Sequence, residues 1–326
     1  MLPLAMPRPL VVGGDLPTPI LPALGMDFMA DSFQRLNNGS LETFDFASVA
    51  TTQRSSSATY YDANGVLQST APNTPRFDHY PSGDNAPRGL LIEPSATNLV
   101  LQSENLDSSS WVKNNATITS NSATAPDGNL TADHLVEDTS SIAHQTFQTS
   151  SFVAGQQYCF STYAKAGGRE KLWLNFNQAL FPVASSAFFD LTAGAVELQQ
   201  SGADNAYIEN IGDGWYRCCL IATAVSSGNT GIAVRMALND LTFNYVGDGS
   251  SGIYIWGSQL ETGAAATSYI HTNGTVITRD EDIITMPWTF GLDGTFQLRA
   301  KSRDPNSAQA AVAIDNGSSG NQLRWF

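Results

Sequence analysis

Charge is the first thing this sequence lacks. Asp, Glu, Lys and Arg make up 14% of its 326 residues, against roughly 25% in an average soluble domain. Ser, Thr, Asn, Gln and Gly take their place, which gives a neutral polar surface better suited to extracellular and particle-surface β proteins than to cytosolic helical enzymes. Basic charge is the scarcer kind: 16 Lys and Arg stand against 30 Asp and Glu, a net charge of −14. That sign makes phosphate backbones and anionic membranes poor partners, so no nucleic acid is expected. Cysteine is scarce too: Cys159, Cys218 and Cys219. Adjacent residues of a strand point to opposite faces, so Cys218 and Cys219 cannot easily chelate one metal. All three read as small buried apolar residues, with a Cys159 disulfide as the lesser alternative. No apolar run approaches the ~20 residues of a membrane-spanning helix, and no membrane insertion is expected. Six prolines within the first 22 residues (Pro3, Pro7, Pro9, Pro17, Pro19, Pro22) break the apolar N-terminus. No signal peptide is read there, so synthesis in the cytoplasm and release by a route other than secretion are expected. A helical stripe of 11–18 residues is missing as well.

What the sequence does hold is strand. Apolar residues reach 42%, enough for a real core. Runs of strand-prone residues at 157–164, 171–177, 186–191, 206–211, 215–223, 231–238 and 252–260 are separated by Gly, Asn, Asp and Ser. In 171–177, Leu172, Leu174 and Phe176 face one way; Lys171, Trp173, Asn175 and Asn177 face the other. Asp62-Ala63-Asn64-Gly65 reads as the turn of a hairpin. The pattern predicts an all-β chain, a jelly-roll β-sandwich over 51–285, preceded by an extended Pro-rich N-terminal arm over 1–50. The arm is apolar without a period of its own, and Leu10, Val12, Leu21 and Phe28 are its expected anchoring residues. A charge cluster and Met286-Pro287 mark a boundary; 286–326 reads as the start of a further β element or as a C-terminal interface segment, ending on Trp325 and Phe326.

Catalytic signals are poor. The sequence has no GxSxG, Walker loop, HExxH or CxxC, and no catalytic residue is assigned. His79, His134, His144 and His271 are scattered and read as structural. Asp280/Glu281/Asp282 and Asp213/Asp248 have the chemistry for glycosidic acid–base work, but turn carboxylates are far more often solvated or capping. No cofactor and no metal site are expected; the alternative is a structural Ca²⁺, for which the DxDxDG spacing is lacking. The aromatics carry more. Trp173 shares the polar side of its strand with Asn175 and Asn177, and Arg235 interrupts the small-residue face of Ala233 and Ala237. A Trp flanked by amides and an Arg has the composition of a sugar platform, with edge or interface packing of Trp173 as the competing reading. Trp215, Tyr254 and Trp256 read as core.

The stretches RSSSATYYDANGVLQ (54–68), PRFDH (75–79), RGLLIEPSATNLVLQSENLDSSSW (88–111), GWYRC (214–218), IYIWGSQLETG (253–263) and TSYIHTNGTVITRDED (267–282) resemble, in order and spacing, a module of tailed-phage and gene-transfer-agent fibres. The resemblance covers roughly 54–285; Ala96 and His271 depart from it, standing where Arg and Pro are common. It implies a head-spike or tail-fibre protein with a carbohydrate-binding-module-like jelly roll. No catalytic residue comes with it.

The expected role is thus a spike or fibre component of a virion or phage-like particle that attaches to host cell-surface polysaccharide. A decoration or adaptor protein of head or tail that binds no glycan is the alternative, and a polysaccharide depolymerase the minor one. The expected partners are other particle proteins (capsid vertex or tail) through the arm, the polysaccharide, and further copies of the chain in a homo-oligomer, trimeric or pentameric.

Overall fold

The computed structural model describes residues 24–27, 32–37, 40–48 and 50–285. Two six-stranded antiparallel sheets pack face to face. The front sheet runs Val112–Asn114, Gln145–Phe152, Gly228–Ala237, Lys171–Phe176, Ser186–Asp190, Ala195–Gln199. The back sheet runs Ala116–Thr124, Leu130–Glu137, Gly252–Thr262, Gln157–Gly167, Trp215–Thr223, Asn205–Gly212. The chain crosses repeatedly between them, as in a jelly roll. The first crossing is made by Asn115 alone. It adopts φ 54°, a left-handed conformation that Asn tolerates better than most residues, and its side chain donates to Ala143 O at 3.1 Å.

Alternation decides which side chains form the interior. Leu172, Leu174 and Phe176 point between the sheets with Phe160, Cys218, Leu220 and Val234. Fully burying one such aliphatic or aromatic side chain contributes about 1.5–3 kcal/mol, so this layer is the main source of stability. The expected hairpin forms between Ala58–Tyr61 and Leu67–Thr70. Asp62 Oδ1 accepts from the N–H groups of Asn64 and Val66. Gly65 sits at φ +75°, where a Cβ would come within 2.7 Å of Pro81 O. The cysteines are free and buried; Cys218 faces the interior, while Cys219 packs outside the back sheet with Cys159 and Ile221.

The outer face of the back sheet is covered. Segments 51–103 and 263–285 lie over it and form small antiparallel pairs, among them Thr51–Gln53 with Ile283–Thr285 and Ala96–Asn98 with Ile277–Arg279. Tyr61, Leu67 and Tyr269 pack there on Tyr163, Trp215 and Trp256. Trp215 and Trp256 are buried as expected, and half-buried Tyr254 stacks on His134 at 4.4 Å.

The residues that carry the fibre-module resemblance converge on one buried ion network. Arg54 Nη1 donates to Asp282 Oδ1 at 2.6 Å, and Arg76 donates to the other oxygen of Asp282. Arg76 also reaches Glu93 Oε2 at 2.8 Å, and Glu93 accepts from the N–H and hydroxyl of Ser268. Arg279 lies 3.6 Å from Glu93 and donates to Pro94 O. Asn98 completes the closure: its Nδ2 donates to Ser258 O and Ile270 O, and its Oδ1 accepts from Val100 and Leu260. These motifs hold the covering segments on the sandwich.

The region expected to be an extended arm contains ordinary pairing. Leu24–Asp27, Ser32–Asn37 and Ser40–Thr43 form a three-stranded antiparallel meander, and Phe33 and Phe46 pack against Phe77. Pro22 is the last proline before Pro72, so the intervening backbone keeps the N–H groups a sheet requires. Residues 1–23, with Leu10, Val12 and Leu21, lie outside the described residues, as do Phe28 and 286–326 with Trp325 and Phe326.

Candidate functional site

Among the described residues no such blanket covers the front sheet's outer face; Leu241 and Phe243, from the turn after Ala237, pack on part of it. Register builds a row of side chains straight across this face. Asn114 pairs with Gln145, Gln145 with Arg235, Arg235 with Trp173, Trp173 with Phe188, and Phe188 with Leu198. Asn175 stands in the next row on the same face, opposite Ala233. Cross-strand neighbours of this kind lie about 4.5–5.5 Å apart at Cβ, so the order of strands alone brings these side chains together.

Trp173 is not the open platform its sequence position suggests. It is 7% exposed. Phe188 stacks parallel to it at 5.1 Å between centroids, and Phe243 tilts against it at 4.3 Å. The Arg235 guanidinium carbon sits 4.5 Å from the ring centroid. The physical reason is the register: bulky partners on both neighbouring strands project beside the indole and cover it. Trp173 therefore fixes Arg235, which stacks on it by cation–π attraction.

Among the described residues, ten buried side-chain polar atoms have no hydrogen-bond partner, and four of them lie on this face: Gln145 Oε1, Arg235 Nε, Trp173 Nε1 and Asn175 Oδ1. Each such atom costs about 1–3 kcal/mol when left unmet, so their concentration marks the face as unfinished. Burial without a compensating carboxylate pulls the Arg235 guanidinium down to about 10, which leaves it cationic at neutral pH. Lys171, in the flanking row, is satisfied: its Nζ lies 2.6 Å from both Asp190 Oδ2 and Glu197 Oε2. The turn that brings Phe243 over Trp173 is tight. Leu238 N–H donates to Thr242 O, and Leu241 sits at φ 66°, strained for a residue with a bulky side chain.

The structure brings Trp173, Asn175 and Arg235 together and leaves Asn177 apart. Asn177 is exposed beyond the strand end, where its Oδ1 accepts from Ala179 N–H and closes a turn. Sequence reasoning missed Gln145, Phe188 and Phe243. In 145–149 the apolar Phe147 shares a face with Gln145 while polar Thr146 and Gln148 are buried, so alternation does not mark Gln145 as outward-facing, and no local signal places it beside Arg235.

Two of the carboxylates singled out from sequence, Asp282 and Asp248, are spent on structure, while Asp213 and Glu281 are exposed. Asp282 holds Arg54 and Arg76. Asp248 accepts from the hydroxyls and N–H groups of Ser251 and Ser250, which hold it well below the usual carboxylate range. Burial pushes Asp133 and Glu261 up, and each accepts backbone N–H groups. Among the described residues no group of three or more His, Cys, Asp or Glu is placed to hold a metal ion. Two concavities are seen among the described residues, the first adjoining this face at Ala237. One of about 190 Å³ is lined by Arg169, Glu170 and Leu238. The other, of about 550 Å³, is lined by Ser56, Thr59, Ser69, Tyr269, His271 and Asn273.

No family model matches the sequence, and no curated protein matches it. Among solved structures, the chain is similar to the enzymatically active domain of tailspike protein 4 of bacteriophage CBA120, with 17% identity and a TM-score of 0.33 over 51% of this chain. It is also similar to the CBM22-1–GH10 modules of Clostridium thermocellum endo-1,4-β-D-xylanase 10B complexed with xylohexaose, with 12% identity and a TM-score of 0.29 over 56% of this chain. The matches span 21% and 30% of the length of those two chains.

Proposed function

We propose that this chain is a spike or fibre component of a phage or phage-like particle, and that it attaches to host cell-surface polysaccharide through the outer face of the front sheet. The observation that carries the reading is the row Gln145–Arg235–Trp173 with Asn175 beside it, on a face not covered by the wrapping segments and with four buried polar atoms unmet. A carbohydrate supplies hydroxyls that pair with the half-buried Gln145, Asn175 and Arg235 side chains at the surface of this face. The order and spacing of the fibre-module motifs support the particle setting. Attachment to other particle proteins falls to the N-terminal segment, and assembly into a homo-oligomer multiplies the sites. A single exposed sugar exchanges water hydrogen bonds for protein ones at little net gain. Copies linked on one particle raise avidity by ~10²–10⁴.

The test uses the labelled full chain and intact host cells. Binding should fall at least tenfold when surface polysaccharide is stripped enzymatically and return when purified polysaccharide is restored. Undiminished binding to stripped cells, with the chain still present in purified particles, would shift the assignment to a decoration or adaptor protein. Release of reducing ends from the polysaccharide would instead establish a depolymerase.

A further inference from the structure

The arginines divide cleanly by what they reach. Arg54, Arg76, Arg88, Arg169 and Arg279 each lie within 4.0 Å of a carboxylate. Arg217 reaches no carboxylate at that distance but donates to Thr267 O and Ser161 Oγ. Arg235 alone among the described arginine side chains reaches neither a carboxylate nor any hydrogen-bond acceptor of the protein. In a chain of net charge −14 acidic partners are abundant, yet among the described residues none lies within 4.0 Å of it. Its guanidinium is nevertheless held in place over the Trp173 ring, which in turn stacks with Phe188. Packing has already ordered this long side chain, so a ligand need not supply that ordering.

We infer that the polysaccharide recognised by this face carries a carboxylate, as in a uronic or sialic acid residue, and that Arg235 is its seat. The inference rests on the attachment function proposed above. A planar guanidinium presents paired N–H donors that match a carboxylate edge. The flanking amide side chains set the rest of the pattern. Gln145 and Asn175 stand half-buried on the same face, so hydroxyls on either side of the anionic group meet amides. An acidic sugar carries both on one ring. A neutral sugar meets the amides but leaves the cation unpaired.

The surrounding charge favours a single negative charge over a double one. In the adjacent row Lys171 is flanked by Asp190 and Glu197, a cluster whose formal charge is −1. A phosphate dianion, or a densely sulfated chain, is repelled by that cluster and by the overall field more strongly than a lone carboxylate. The half-buried Phe243 ring, lying on Trp173, offers an apolar surface to the carbon face of the sugar ring.

The experiment is an array of uronate- and sialate-bearing oligosaccharides, each printed beside the same compound with its carboxyl reduced to the alcohol, together with sulfated and neutral glycans. The full chain should bind at least one acidic compound ten or more times tighter than its reduced twin. Arg235→Gln should abolish that preference, and Arg235→Lys should lose most of it because an ammonium lacks the paired donors. Since the twin comparison is made on the unaltered chain, the result stands even if a variant folds poorly. Equal binding of acid and reduced twins, or preference for the sulfated set, would overturn the carboxylate assignment while leaving glycan attachment intact. Retention of no glycan at all would overturn both.

Discussion

Asp282 and Arg54 meet at 2.6 Å across 228 residues of sequence, both buried. Arg76 shares the same carboxylate. Removing one partner of a buried ion pair strands the other and costs about 3–5 kcal/mol. Asp282→Asn is therefore expected to lower the denaturation midpoint strongly. Hydrogen exchange should report the loss first in the paired strands Thr51–Gln53 and Ile283–Thr285. An unchanged midpoint would show that the network adds nothing to stability.

Trp173→Ala removes a large side chain enclosed by Phe188, Phe243 and Arg235. Such truncations cost about 3–5 kcal/mol. Attachment to cells should fall as well, because the guanidinium loses its support. Trp173→Phe keeps a π face, and it should retain most of the binding together with most of the stability. If Trp173→Ala bound cells as the parent does, Arg235 would not need its aromatic backing.

Two residues set opposite pH limbs. Glu137 is pushed up by burial, but the Arg169 and Tyr245 hydrogen bonds outweigh this and hold it below its ordinary 4.5. A carboxyl lowered on folding contributes stability above its unfolded pKa and loses it as pH falls through the folded value. Glu137→Gln should flatten the acid limb of a stability–pH curve below about pH 4.5.

His271 behaves the other way. Glu104 Oε1, 2.8 Å from its Nδ1, raises the imidazole above 6.5 against the effect of burial. Its contribution is complete below 6.5 and disappears as pH rises through the folded value. Proton NMR should place the His271 midpoint above 6.5, and Glu104→Gln should return it toward that value.

The three cysteines should be unreactive toward a thiol reagent in the native chain and fully reactive in denaturant. All are free and buried. Contact with Cys219 and burial push the Cys159 thiol up, and burial does the same to Cys218. A native chain that reacted promptly would contradict the packing described.

Much of the architecture was legible because strands write themselves in alternation. Leu172, Leu174 and Phe176 against Trp173 and Asn175 gave the inside and outside of one strand without any neighbour. Strand order is a different kind of information. Gln145, Arg235, Trp173 and Phe188 come from four separate segments, and only non-local pairing puts them in one row. For the same reason Trp173 could be placed on the outer face but not judged open or covered. Arg54, Arg76, Glu93, Arg279 and Asp282 were visible as parts of separate motifs, while the buried arginine–carboxylate contacts they share required the fold. In residues 24–43 the apolar, proline-led start concealed a meander that begins once the prolines stop.

The pairing of Thr51 with Thr285 has a mechanical consequence. The strand that leads into the sandwich and the strand that leads out are antiparallel neighbours, so residues 51 and 285 lie side by side at one end of a three-residue ladder. A pull applied between them opens that ladder one hydrogen bond at a time, like a zip, and does not shear it. The load then passes to Arg54 and Asp282 before it reaches either large sheet. The sandwich hangs beside the line of tension, with that ion pair as its first mechanical stop.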